Sequence, residues 1–340
     1  MIEERPLSRV FSGAALLLVA AALGCGGGEC DVVAYTSVDQ VFSDPVFREI
    51  EEETGMRVCA VFDTEETKST GVLNRILAEE DHPQADVFWS GDPVRPFLLV
   101  KRGLVEPYLS PEAAGLPPGL RAKDGSWTGT AARARVLLVN RGLVPAAERP
   151  RSIRDLADPR FAGRAAIANP LFGTTTMHVA ALFARWGDVE ARAFLDALKA
   201  NRVRIASSNG EVKRLVVAGE VAFGLTDTDD ANEALKEGAD VEVVYPDAEG
   251  LGTLVMPTAV VLLAKGPHPD AGRRLVDFLL SADTERRMAA AAAHMPLRAG
   301  VETPPGVKRV ADIRAMAVDY ARVAAEMERI QPWLRQWSGL

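Results

Sequence analysis

A chain of 340 residues with a formal net charge of −8 has no basic surplus from which to build a nucleic-acid interface. Its 48% hydrophobic content is ordinary for a globular protein, and its length exceeds what one core comfortably serves, so two domains are expected. Three cysteines without a CxxC pair and four histidines leave no zinc site of the usual spacing.

Residues 1–24 have the layout of a signal peptide: Arg5 and Arg9, then an apolar run from Ala14 to Leu23 too short to span a bilayer as a helix, then Gly24-Cys25. The small residue before Cys25 resembles the end of a bacterial lipoprotein signal, although the branched residue falls one position late, at Leu23 after Ala22. That resemblance implies lipidation of Cys25, anchorage to the membrane and a flexible tether over 25–30. Cleavage to a free periplasmic protein and an uncleaved anchor are the alternatives. Cys30 and Cys59 either pair in that oxidising compartment or stay as thiols, with Cys59 buried as a small hydrophobe.

The mature chain alternates predicted strands and helices. Val32 to Ser37 reads as a strand, Val41 to Thr54 as an amphipathic helix, Arg57 to Phe62 as a strand, Ser69 to Glu79 as a helix and Ala85 to Trp89 as a third strand. This is the βαβ rhythm of a parallel sheet, whose strands align their carboxyl ends along one edge. Polar residues stand at each of those ends: Thr36, Ser37 and Asp39, then Asp63, Thr64 and Glu65, then Ser90 and Asp92. After a region rich in Pro and Gly, Thr130 to Asn140 reads as a long strand crossing between domains. Arg133 and Arg135 share one of its faces, either as an anion-holding pair or as exposed arginines on a half-solvated strand.

A second α/β unit follows, with strands at Ala165 to Asn169, Val203 to Asn209 and Val221 to Leu225. Gly173 with Thr174, Thr175 and Thr176 opens a helix ending at Trp186, bringing free backbone N–H groups, hydroxyls and a positive dipole end together. Asn209 occupies the next strand-to-helix junction. Asp227, Asp229 and Asp230 occupy the one after that, where open α/β sheets place ligands. Helix capping is the bland alternative for both groups, yet one residue suffices for a cap. Strands at Val241 to Tyr245 and Thr258 to Ala264, helices near Ala271 to Leu280 and Thr284 to Ala293, and a packing helix from Ile313 to Arg329 complete the chain.

In this order, Tyr35-Thr-Ser-Val-Asp-Gln40, Ala85-Asp-Val-Phe-Trp89, Arg133 to Asn140, Asn169 to Thr176, Ser208-Asn-Gly210 with Ala218-Gly-Glu220, and Pro296-Leu-Arg298 resemble the extracellular solute-binding proteins of ABC importers, in the branch that includes ferric-iron-binding proteins. The resemblance implies a two-lobed type II periplasmic binding fold, hinged between two parallel-sheet α/β domains. The expected lobes are 31–130 with about 255–300, and 131–254 with about 301–340. It further implies a monomer that closes on its ligand and docks with a permease and its ATPase.

One departure matters: where iron-binding members carry adjacent tyrosines, this chain has Asp229 and Asp230, with Asp227 where an anion-contacting asparagine is common. Carboxylates suit hard cations such as Mn, Ca or Fe. The leading expectation is therefore a transported metal on Asp227, Asp229, Asp230 and the Tyr35 phenolate. Ser37, Ser90, Arg133, Thr174, Thr175, Thr176 and Asn209 would hold a synergistic anion. The alternative is a phosphonate or phosphate on the threonines with an ammonium on the acids, as in 2-aminoethylphosphonate. A secreted hydrolase or a Mg-dependent phosphoryl-transfer enzyme is the rival class. No phosphate loop, nucleophile elbow or His-Glu-x-x-His motif supports it, so no catalytic residue or catalytic cofactor is expected.

Overall fold

The computed structural model describes residue 1, residues 30–63 and residues 71–339. The signal segment beyond Met1, Cys25 and most of the proposed tether lie outside the described residues, as do Thr64 and Glu65. The first unit opens with β1 (Val32–Thr36), α1 (Gln40–Thr54), β2 (Val58–Phe62), α2 (Gly71–Ala78) and β3 (Val87–Ser90). β1 lies between β2 and β3, parallel to both. In α1, Ser43, Val46, Phe47 and Ile50 are buried at the 3–4 spacing that a helical face requires, and Gly55 ends the helix in the left-handed region at φ 71. A disulfide joins Cys30 to Cys59 with Cα atoms 5.7 Å apart, stapling the segment that leads into β1 to β2, so pairing is the alternative realised.

Two helices are additional to the predicted elements, α3 (Val94–Lys101) and α5 (Asp188–Ala200), along with the short β4 (Val105–Glu106). The crossing strand is β5 (Thr128–Asn140). Its first half, through Ala134, pairs antiparallel with β10 (Val255–Leu263), and its second half, from Arg135, pairs with β8 (Phe223–Asp227) and β9 (Val241–Val244). β8 and β7 (Arg204–Ala206) flank β6 (Ala165–Ala168) in parallel. The two expected parallel sheets are thus the ends of one mixed sheet, ordered β2-β1-β3-β10-β5-β8-β6-β7, with antiparallel β10 and β5 as the seam.

The site-bearing helices of the second unit are α4 (Gly173–Trp186), α6 (Asn209–Val217) and α7 (Thr228–Lys236). α8 (Pro269–Leu279) and α9 (Ala282–Ala292) return to the first. The final helix is α10 (Tyr320–Ser338), later than expected, because Asp319 caps it by accepting the amides of Ala321 and Arg322. The preceding segment runs beside Gly252 instead. A Cβ at that glycine would lie 2.8 Å from the Ala315 backbone, so the approach needs glycine. α10 packs on α4 of the second unit and α3 of the first.

Candidate functional site

The site grows from strand register. Arg135 stands directly opposite Asp227 across β5 and β8, and Arg133 follows two residues along the same face of β5. The Arg135 guanidinium is wholly buried, which is costly for a charge unless its donors find partners, and both Nη atoms do while Nε does not. Its Nη1 donates to Asp227 Oδ1 at 2.6 Å, Thr174 Oγ1 at 3.0 Å and Asn209 Oδ1 at 3.0 Å, and its Nη2 donates to Thr175 Oγ1 at 3.1 Å. One strand arginine therefore ties the amino ends of α4 and α6 to the carboxyl end of β8. Asp227 Oδ2 also accepts from Thr174 Oγ1 at 2.9 Å and Asn209 Nδ2 at 3.2 Å.

These contacts decide against capping. Asp227 stands at the cap position of α7, yet its side chain makes no cap hydrogen bond, and α4 likewise lacks a side-chain cap. Burial alone would push the Asp227 carboxyl up, but Arg135 and Arg133 outweigh it and hold the group below the usual carboxylate range.

Arg133 reaches into the cleft between the units. Its Nη1 lies 3.2 Å from Asp229 Oδ2 and 3.4 Å from Asp227 Oδ2, and its Nη2 donates to the Gly91 carbonyl of the first unit at 2.9 Å. Asp229 Oδ1 is buried without a hydrogen-bond partner. Asp230 accepts from Thr226 Oγ1 at 3.0 Å. Burial first, then the neighbouring acids, push Asp229 up and Asp230 up to about 8. One oxygen from each of Asp227, Asp229 and Asp230 lies within 4.8 Å of the others, close enough to share an ion.

The cleft above this floor is a cavity of about 80 Å³, room for several waters or a small ion with its anion. Among its walls are Ser37, Asp39, Asp92, Arg133, Thr174, Asn209, Asp227 and Asp229. Five other expected site residues stand elsewhere. Tyr35 is a correction: it points from β1 toward α2, its hydroxyl donating to Glu79 at 3.0 Å under the stacked Arg75 guanidinium. Burial and Glu79 push its phenol up to about 12, and it is absent from the cleft wall. Ser90 is buried, accepting the Asp92 amide, and also stays out of the wall. Thr175 serves Arg135, and Thr176 Oγ1 is buried without a partner, because successive helical residues cannot share one face. Asp230 stands beside the floor.

Arg135 was legible only as half of an arginine pair, although a lone arginine in an apolar strand signals a buried partner. Asp39 and Asp92 were visible as polar strand ends. His294, which also lines the cleft, carried no local signal: its place depends on an isolated antiparallel bridge between Met295 and Ala132 of β5.

Two α/β units joined by crossing strands, with polar strand ends facing across a small cleft, define a two-lobed binding protein. The chain belongs to the bacterial extracellular solute-binding proteins, whose family profile matches residues 31–291. Iron uptake protein A1 of Synechocystis sp. is 27% identical over 287 residues, covering 81% of this chain and 78% of that protein. A putative 2-aminoethylphosphonate-binding periplasmic protein of Salmonella typhi is 24% identical over 272 residues, covering 78% and 74%. The crystal structure of iron-bound HitA from Pseudomonas aeruginosa superposes with a TM-score of 0.80 at 23% identity, covering 89% of this chain and 98% of that one, a likeness of fold. Fold and family are those of binding proteins that serve ABC importers. Among the described residues no helix is long and apolar enough to cross a membrane.

Proposed function

We propose that this chain captures a hard metal cation, iron foremost, together with a small anion, and presents it to the permease and ATPase of an ABC importer. One observation carries the reading: three carboxylates converge within 4.8 Å, Asp227 and Asp229 in the cleft floor with Asp230 beside it, and one oxygen of Asp229 is buried with no partner. Desolvated acids crowded together repel, and a bound cation relieves both penalties. Asp227 is already committed to Arg135, Thr174 and Asn209, so it acts chiefly as the anchor between the cation and anion sides. Asp229 and Asp230 carry the cation. Gly173, Thr174 and Asn209 stand where the amino ends of α4 and α6 open into the cleft, which suits the accompanying anion. The relative named for iron uptake supports the cation, and oxygen ligands without tyrosine leave room for metals other than Fe(III).

A second reading rests on the same helix ends. A phosphonate there, with its ammonium on Asp229, pairs opposite charges at the two sides of the cleft floor, and a relative is named for such a ligand. Elemental analysis and native mass spectrometry of protein purified without added metal separate the two. A stoichiometric metal supports the first reading. A bound aminophosphonate mass without metal overturns it. Absence of hydrolysis of sugars and phosphate esters is expected in either case, and turnover would favour the enzyme class instead.

A further inference from the structure

Arg133 touches both lobes and the acids at once. Its Nη1 stands between Asp227 Oδ2 and Asp229 Oδ2, at 3.4 and 3.2 Å, while its Nη2 crosses the cleft to the Gly91 carbonyl at 2.9 Å. A guanidinium is a planar monocation that matches carboxylates with several donors. The position it takes among those oxygens is the one a bound cation would need. Its surroundings differ from those of Arg135: Arg135 is wholly buried and held by Thr174, Thr175, Asn209 and Asp227, whereas the Arg133 side chain keeps 16% of its surface exposed. Nε is buried without a partner in both arginines, so the difference lies in exposure and in the Nη contacts, which for Arg135 stay within the second lobe and for Arg133 span the cleft. Arg135 is built to stay, and Arg133 has somewhere to go.

We propose that Arg133 is a resident surrogate for the cargo cation, closing the empty cleft and setting which cations can enter. In the unliganded protein it neutralises Asp229 and latches Gly91 of the first lobe to the acids of the second. Cargo binding is then an exchange: the cation takes the Asp229 oxygens, and Arg133 swings toward solvent or turns to the incoming anion. No bond is made or broken beyond hydrogen bonds and ion pairs.

Exchange has a consequence for selectivity. An incoming ion must outcompete a hydrogen-bonded monocation, so every ion meets the same displacement cost and only those that the acids hold tightly enough to exceed it remain bound. The inference rests on the cation reading above.

The test compares wild type with Arg133→Met, which removes charge and donors, and Arg133→Gln, which removes the charge but keeps an amide able to reach Gly91. Small-angle scattering of the metal-free proteins reads the latch: Arg133→Met should have a larger radius of gyration than wild type, with Arg133→Gln between them. Calorimetric titration with Mn(II) chloride, and with Fe(III) supplied as its citrate complex, reads the exchange. Removing a charge-assisted competitor should raise Mn(II) and Fe(III) affinity by the same factor, about tenfold to a hundredfold, in both variants.

Equal radii for all three metal-free proteins overturn the latch. Metal affinity equal to or below wild type in the variants overturns the exchange and makes Arg133 a contact for the anion. If no protein binds either metal while Asp229→Asn and wild type melt alike, the cation reading itself has failed, and the exchange with it. Melting curves identify any variant that has lost its fold, in which case the other one decides.

Discussion

At the scale of single residues, the acids and the buried histidines make opposite demands on solvent. Replacing Asp229 and Asp230 together by Asn preserves size and removes charge. Loss of one side of a buried charged contact costs about 2–5 kcal/mol, so cation affinity should fall roughly 30-fold to several thousand-fold, against little change for exposed Glu237→Gln. A capping role predicts parental binding and melting instead, since Asn caps as well as Asp. Calorimetric titration beside a melting curve distinguishes them. His178 lies among Ile167, Leu182 and Leu225 with neither ring nitrogen hydrogen-bonded, and burial followed by the nearby Arg135 lowers its pKa to about 3. Burial and Arg133 lower His294 to about 3 as well. The unfolded chain takes up those protons below about pH 6.5 and the native state does not, so stability is intact above that pH and is lost as pH falls toward 3. Each histidine should cost about 2 kcal/mol between pH 6.5 and 5. Urea melts at pH 7.5 and 5 should show His178→Leu losing less than wild type, and identical losses would contradict a buried neutral imidazole.

At the scale of elements, the site depends on how closely α6 lies on β8. Gly224, in mid-strand, faces α6, and a Cβ there would overlap Val212 Cγ1 and stand 3.1 Å from the Ala166 carbonyl. Valine is stiff at χ1, so relief must come from moving the helix, which carries Asn209 at its first turn. Gly224→Ala should therefore cost about 1–3 kcal/mol of stability, the usual penalty of overpacking, and should weaken ligand binding as well. A variant that melts lower but binds normally would show that the Asn209 position tolerates the shift. The element types were legible because their apolar periods are strong, as in α1 and β8. Boundaries shifted where a cap or a close backbone approach decided them, as Asp319 does for α10 and Gly252 does for the segment before it.

At the scale of the whole molecule, the lobes share β5, β10 and α10, and the buried apolar residues form one continuous cluster. Neither lobe can unfold without exposing the seam strands, all nine residues of β10 being buried. Scanning calorimetry should show one cooperative transition with equal calorimetric and van't Hoff enthalpies, and two resolved transitions would show the lobes to be independent. The hinge is expected near the β5 seam, where pairing passes from β10 to β8 between Ala134 and Arg135, and near the register shift at Thr258/Ala259. Processing belongs to this scale too. The arginines, apolar run and Gly24-Cys25 predict a mature chain that starts at Cys25 with a diacylglyceryl group, which mass spectrometry of a bacterial membrane fraction would detect. An intact Met1 terminus would contradict it.

By itself the amino-acid sequence determined the strand and helix alternation, the polar strand ends that gather along one sheet edge, and the run of acids Asp227, Asp229 and Asp230 at one of those ends. Those are matters of local period and position, which neighbouring residues settle among themselves. Only the tertiary structure decided that Tyr35 turns to Glu79, that Arg135 stands opposite Asp227, and that Arg133 reaches Gly91. A one-residue change of register would put β5's arginines on the other face of the sheet. The partner of a buried charge lies nearly a hundred residues away in the chain, and register and lobe packing bring it into contact.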